Sequence, residues 1–177
     1  MFLDSSFEGT GVLWSVILLT GLGLITHIST RESERGPFEL LKLSSITRYQ
    51  LFLGRMAGSL FLLWILSTII TILYVVLFEN QFGDNLSLAY LVVLVGCIGI
   101  AAVGTLAAST ATPLHGGWMI TSLFSIPILL FTVIEASLRA TDSLVTNDSD
   151  FQLAFMLLIL YNLAFVTGGA WLSELSE

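Results

Sequence analysis

The chain has two histidines, His27 and His115, and one cysteine, Cys97, so few side chains are equipped for metal binding or nucleophilic attack. Two imidazoles can ligate haem iron or another metal through their ring nitrogens. Neither stands in a pattern with a carboxylate that would orient it as a ligand, and the competing reading is a pair of polar interface residues that hold nothing. Cys97 lies in an apolar run with no second thiol for a disulfide or a CxxC site. There is no GxxxxGK[ST] phosphate loop, GLGLIT at Gly21 lacks the third glycine of a dinucleotide fingerprint, and no HExxH or nucleophile elbow occurs. No metal site, directly bound cofactor or catalytic group is therefore expected, and any energy the chain uses must come from another subunit.

What remains is charge and amphipathic pattern, concentrated in one segment, TRESERGPFELLKLSSITRYQLFLGR. Five of the six basic residues, Arg31, Arg35, Lys42, Arg48 and Arg55, fall inside it. Gly36 ends what precedes it, and Pro37 suits a first helical position, where a backbone N–H would be unpaired in any case. Phe38, Leu40, Leu41 and Leu43 then form the apolar side of a short helix flanked by Glu39 and Lys42. Ser44 to Thr47 offers a hydroxyl to cap the helix that follows. Such an amphipathic helix rests on a membrane surface with its apolar residues down, or offers them to a soluble partner. Arg48 and Arg55, seven residues apart, share a face of the next helix, where they snorkel to lipid phosphates or contact a partner or anionic substrate.

Hydropathy sets the elements that must position this segment. Of the 177 residues, 55% are hydrophobic and 11% charged, with a mean hydropathy of +0.93, too apolar for a chain that keeps a charged surface in water. Five runs approach the ~20 apolar residues that a helix needs to cross a bilayer: about Gly11 to Ser29, Met56 to Phe78, Leu86 to Ala108, Trp118 to Ile134 and Phe151 to Leu172. They are apolar all round, so length decides for helix; a barrel strand would be about half as long and alternating. The expectation is an all-α integral membrane protein with five transmembrane helices, one domain over residues 1–177, and an inner loop over about 30–48. The basic excess in that loop places it on the cytoplasmic side and the N-terminus outside. Glu79 to Asn85, without Lys or Arg, and a loop from Glu135 to Asp150, with Arg139 among acids, then fall outside, and the tail SELSE falls inside. MFLDSSFEGT has no positive stretch ahead of the first run, so that run is expected to remain in the protein.

Several residues in the runs call for partners. Trp14, Trp118 and Trp171 sit near run ends as interfacial aromatics do, whereas Trp64 lies deep. Gly96, Gly99, Ala101, Gly104 and Ala108 concentrate in the third run, and Gly104 and Ala108 are four apart, which permits close helix approach within the chain or between subunits. Pro127 should kink the fourth run. Glu135 and Asn162 are polar groups at depth, suited to satisfying a neighbouring helix or a substrate.

In order along the chain, GVLWSVILL, RESERGPFELLKLS, LFLGRMAGSL and TPLHGGW followed by a proline-containing helix resemble the CcmB family. That family is the membrane subunit of the haem-exporter-type ABC transporter of cytochrome c maturation. The resemblance implies that Glu34, Gly36, Glu39 and Leu40 belong to a coupling loop that docks on an ATPase subunit; Phe38 and Leu41 would add apolar contact. Arg55 falls where the family has Lys, and Gly116 and Gly117 match its Gly-Gly turn. His115 replaces a usual Arg or Lys, and Pro37 a small polar residue. The family resembles a six-helix permease with an inside N-terminus, and this chain begins just before its second helix. Implied partners are a CcmA-like ATPase, haem-handling CcmC-, CcmD- and CcmE-like membrane proteins and the lipid bilayer, without nucleic acid. The implied setting is a bacterial cytoplasmic membrane, or a mitochondrial inner membrane if the source is organellar. ATP hydrolysis by the partner would release a haem-loaded chaperone, with haem handled by the complex. The competing functions are export of a lipid or polysaccharide by an ABC permease, and a non-transporting membrane scaffold.

With the N-terminus outside, a Ser5→Cys thiol should react with an impermeant maleimide added to intact cells. Protection until the membrane is permeabilised would reverse the orientation.

Overall fold

A computed structural model describes residues 5–34, 48–78, 82–111, 133–146 and 150–175. Their regular structure is all helical: α1 (Ser5–Glu34), α2 (Arg48–Leu77), a 3-10 turn (Gly83–Asn85), α3 (Leu86–Ala111), α4 (Glu135–Thr146) and α5 (Phe151–Leu175). Three of these helices are long and apolar enough to cross a membrane, over Tyr49–Leu77, Leu86–Ala107 and Phe151–Trp171; α1 carries a shorter apolar stretch, Gly9–Ile25. The chain is an all-α membrane protein, as its composition implied. The expected span from Trp118 to Ile134, with Pro127, falls outside the described residues except for a π-type turn at residues 133–134 that leads into α4.

α1 and α2 have 30 residues each. At the rise of an α-helix that is about 45 Å, well beyond the ~30 Å of hydrocarbon. Both exceed the runs expected over 11–29 and 56–78. Apolar runs end where polar residues begin, but backbone hydrogen bonding continues through them, to Glu34 in α1 and back to Arg48 in α2.

α3 is the central helix. Of its most apolar stretch 56% is buried, against 22% in α2 and in α5, and it packs on all four other helices. Around it lies a core that includes Trp14, Ile17, Leu63, Val92, Ile100 and Leu158. Its glycines let neighbours approach. A side chain at Gly104 would collide with Ile25 of α1, one at Gly96 with the Trp14 ring, and one at Gly99 with Asn162 and Val133. These small residues serve packing within the chain. Gly83, at φ +50°, turns the chain between α2 and α3 in a backbone region that suits glycine, and Phe82 tucks beneath the turn against Tyr74.

Two expectations are corrected. The segment from Glu135, expected as a loop, is the 12-residue helix α4. Ala136, Ala140 and Leu144 repeat every four residues and are buried with Ser137 and Thr141, while Glu135 and Arg139 pair on the exposed side at 2.6 Å. Seven of its twelve residues are polar, which disguises it among spans recognised by apolar length. Trp14 is likewise no interfacial anchor. It is fully buried, and its indole N–H donates to Thr141 Oγ1 of α4 at 3.0 Å. The hydroxyl in turn donates to the Ser137 carbonyl at 2.7 Å, so both of its functions are used.

A double-mutant cycle with Trp14→Phe and Thr141→Val, read by reversible denaturation in micelles, should give a coupling of about 1 kcal/mol, the net value of one such hydrogen bond. Strict additivity would contradict the contact.

Candidate functional site

Two regions of the bundle bear on function, one at the loop end and one within it. At the loop end, Glu34 is the last residue of α1 and Arg48 the first of α2. Gly36, Phe38, Glu39, Leu40 and Leu41 fall between them, outside the described residues. α1 and α2 pack against each other, so residues 35–47 link two helices that are already in contact. Arg48 and Arg55 both lie on α2, nearly two turns apart and hence on one face; Arg55 is half-buried. Close to them α2 is seated firmly. Phe52 and Met56 are buried with Ala101 and Ala102 of α3, and Gly169 of α5 leaves room for the Phe52 ring. A displacement of the first turns of α2 must therefore move α3 and α5 as well, because close-packed side chains transmit strain.

Within the bundle, one stretch of α3 meets every other described helix. The Leu94 carbonyl accepts the indole N–H of Trp64 from α2 at 3.1 Å, and the next carbonyl, Val95, accepts Asn162 Nδ2 from α5 at 2.8 Å. One residue further, the Trp14 ring of α1 and Ser137 Oγ of α4 close over Gly96. Asn162 Oδ1 lies over Gly99. Ser137 Oγ and Asn162 Oδ1 are buried without a conventional hydrogen-bond partner. Each rests against a glycine of α3, where weak Cα–H···O contacts recur between closely packed helices. This arrangement holds helices together and leaves no reactive group exposed within it.

Among the described residues no charged side chain is fully buried, and no group of three or more His, Cys, Asp or Glu is placed to hold a metal ion. His27 is exposed on α1, while His115, Gly116 and Gly117 lie outside the described residues. Glu135 pairs with Arg139 of its own helix, and Asn162 satisfies a neighbouring helix as its depth required.

Residues 6–172 match the CcmB protein family, a span that runs from the first turn of α1 to the last turn of α5. The chain belongs to the CcmB family. Two curated proteins are also similar: the "Probable multidrug ABC transporter permease YbhR" of Escherichia coli strain K12 and that of Escherichia coli O157:H7. Each is 23% identical over 131 residues, which is 73% of this chain and 36% of the relative. The chain thus spans little more than a third of the length of these relatives. No solved structure matches it.

For this CcmB family member, sequence reasoning located the glycines and Asn162 but missed Ser137 and Thr141, which stood in an expected loop. Trp64 did carry a signal. An indole N–H deep in an apolar run has no water to bond and must find an acceptor on another helix.

Gly99→Val should lower stability by about 1–3 kcal/mol through overpacking against Asn162 and Val133. Gly168→Val, where a side chain meets nothing within 4 Å, should change it by under about 0.5 kcal/mol. Equal thermal stability of the two purified variants would contradict the packing described.

Proposed function

We propose that this chain is the permease subunit of an ABC transporter complex for haem handling in cytochrome c-type biogenesis, without catalysis of its own. The observation that carries the reading is the family match over residues 6–172; the named relatives, themselves ABC permeases by description, support the transporter class. ATP is hydrolysed by a separate CcmA-like subunit, and haem is handled with CcmC-, CcmD- and CcmE-like proteins in the cytoplasmic membrane. The 35–47 segment is the coupling element. Phe38, Leu40 and Leu41 seat in a groove of the ATPase, Glu34 and Glu39 pair with basic groups at its rim, and Gly36 marks its start. Arg48 and Arg55 contact that partner or lipid phosphates. Movement of the segment reaches the ends of α1 and α2 together, and passes through Phe52 and Met56 to the central helix.

A second reading follows from the two relatives, each named a probable multidrug ABC transporter permease. On it, the same architecture exports a small organic molecule, and the haem-handling partners are absent.

Deletion of the gene should abolish covalent haem attachment to c-type cytochromes, read by haem staining of membrane proteins. Intact attachment would sink the haem assignment. The Phe38→Asp, Leu41→Asp double variant, whose changes lie outside the transmembrane runs, should insert normally and show the same loss. Glu39→Gln should weaken docking by about 1 kcal/mol or less, since exposed ion pairs contribute little. Full haem attachment in the double variant would remove this segment as the coupling element.

A further inference from the structure

The ion pair on α4 is exposed, with the Glu135 side chain at 51% and that of Arg139 at 69%, and it stands at the middle of the membrane. We propose that this face of α4 lines a water-filled vestibule, which reaches the bilayer midplane from the side of the α2–α3 turn and admits small hydrophilic solutes.

The depth of the pair follows from the register of the helices. The three spans have their middles at Leu63 in α2, between Gly96 and Cys97 in α3, and at Tyr161 in α5. These middles share one level, because Trp64 bonds the Leu94 carbonyl and Asn162 bonds the Val95 carbonyl. α4 runs antiparallel to α3 from that level outwards. Val133 stands against Gly99 and Ser137 Oγ against Gly96, and at the far end the Leu144 carbonyl accepts Asn85 Nδ2 at 3.3 Å. Ser137 is therefore at the midplane. Glu135 and Arg139, two residues to either side of it, are within about 3 Å of that level along the helix.

Hydrocarbon does not suit such a pair, since charges at this depth face a bundle interior or a water-filled cavity. Each interface is about 15 Å away, half the ~30 Å core. Arg139 does not snorkel towards either one. It reaches back a turn across the midplane, where Nη2 donates to Glu135 Oε1 at 2.6 Å. At the same depth the exposed residues of α2 and α5 include Leu62, Ile65, Ile159 and Leu160, side chains that suit lipid. Among the described helices only α4 presents charge there.

Water fits this face better than another protein segment does. Among the described residues the two side chains bond only to each other, by one hydrogen bond, which leaves most guanidinium N–H groups and a carboxylate oxygen to be satisfied. Mobile water does so at any geometry. Asp142 continues the same face three residues after Arg139, and α4 ends at Thr146, shortly before the exposed Asp150. The polar face thus runs from the midplane towards the membrane surface. With 12 residues, about 18 Å long, α4 covers half a bilayer and begins from a π-type turn at residues 133–134. Helices interrupted at the midplane are found where they line a cavity or are buried in protein. The inference is independent of the cargo that the permease carries.

Nitroxide accessibility tests it. The full chain, with any subunits that co-purify, is reconstituted in phospholipid vesicles with a spin label at Glu135→Cys, Arg139→Cys or Leu160→Cys, and wild type reports any labelling of the buried Cys97. Labels at 135 and 139 should collide with a water-soluble nickel chelate about fivefold more than the label at 160, which should favour lipid-soluble oxygen. Oxygen preference at all three positions would place the pair in lipid. Low collision with both relaxants at 135 and 139 would show a protein segment over them. Either result overturns the vestibule. Because each substitution removes half of the ion pair, wild type is read as well: a water-soluble carbodiimide with glycine ethyl ester, added to native membranes, should amidate Glu135 as well as Asp150, read by mass spectrometry of the peptides. Amidation of Asp150 without Glu135 would overturn the proposal.

Discussion

Helices inside a bilayer gain little by hiding apolar surface from one another, because lipid tails are as apolar as leucine. What holds them is close fit and the need of every polar group to find a partner without water. In this protein both demands are met on one stretch of α3, residues 94–99. Two successive carbonyls take donors from α2 and α5, and two glycines admit Trp14, Ser137 and Asn162 close to the helix axis. The remaining contacts are arranged around that stretch. Leu63 and Ile100 meet at Gly21, and Ile25 fills the space at Gly104. Each exploits an approach that a larger residue would block.

The same constraint explains why α4 belongs to the bundle. Its buried face is Ala136, Ser137, Ala140 and Thr141, small residues that bring it near α1 and α5, and the Thr141 and Ser143 hydroxyls bond to carbonyls of its own backbone. Because the Trp14–Thr141 bond joins α4 to α1, the helix after residue 134 is tied to the helix that ends at Glu34. The proposed coupling segment begins at that same helix end. A load applied to residues 35–47 is thus shared by α1, whose far end is fastened to α4, and by α2, which is fastened to α3 and α5. Such a block moves as a unit, which suits a permease that receives work from another subunit.

Sequence alone made the long helices legible, because a run of some twenty apolar residues has few alternatives to a membrane helix. Their ends were less legible, since α1 and α2 continue into polar residues that hydropathy treats as loop. α4 was hidden for a related reason. Its pattern, Ala136, Ala140 and Leu144 at intervals of four, was present but lay among Glu135, Arg139 and Asp142, and charge outweighed period in the reading. Gly104 and Asn162 behaved as their types and depths implied, packing on and bonding to neighbouring helices of the same chain. Trp14 did not, because position near the end of a run cannot distinguish an indole that reaches a headgroup from one that reaches Thr141. Gly36 to Leu41, proposed above as coupling residues, lie outside the described residues, and the proposal draws on their amphipathic pattern and the family match.

The central claim is that work enters between α1 and α2. A photo-crosslinking amino acid placed at Phe38 in the full chain, in its native membranes, tests it directly. Irradiation should join the chain to an ATPase subunit identifiable by its phosphate-loop peptide, and the same probe at Leu88, beyond the turn at the other end of α2, should not. No ATPase adduct from position 38, or equal adducts from both positions, would contradict the account.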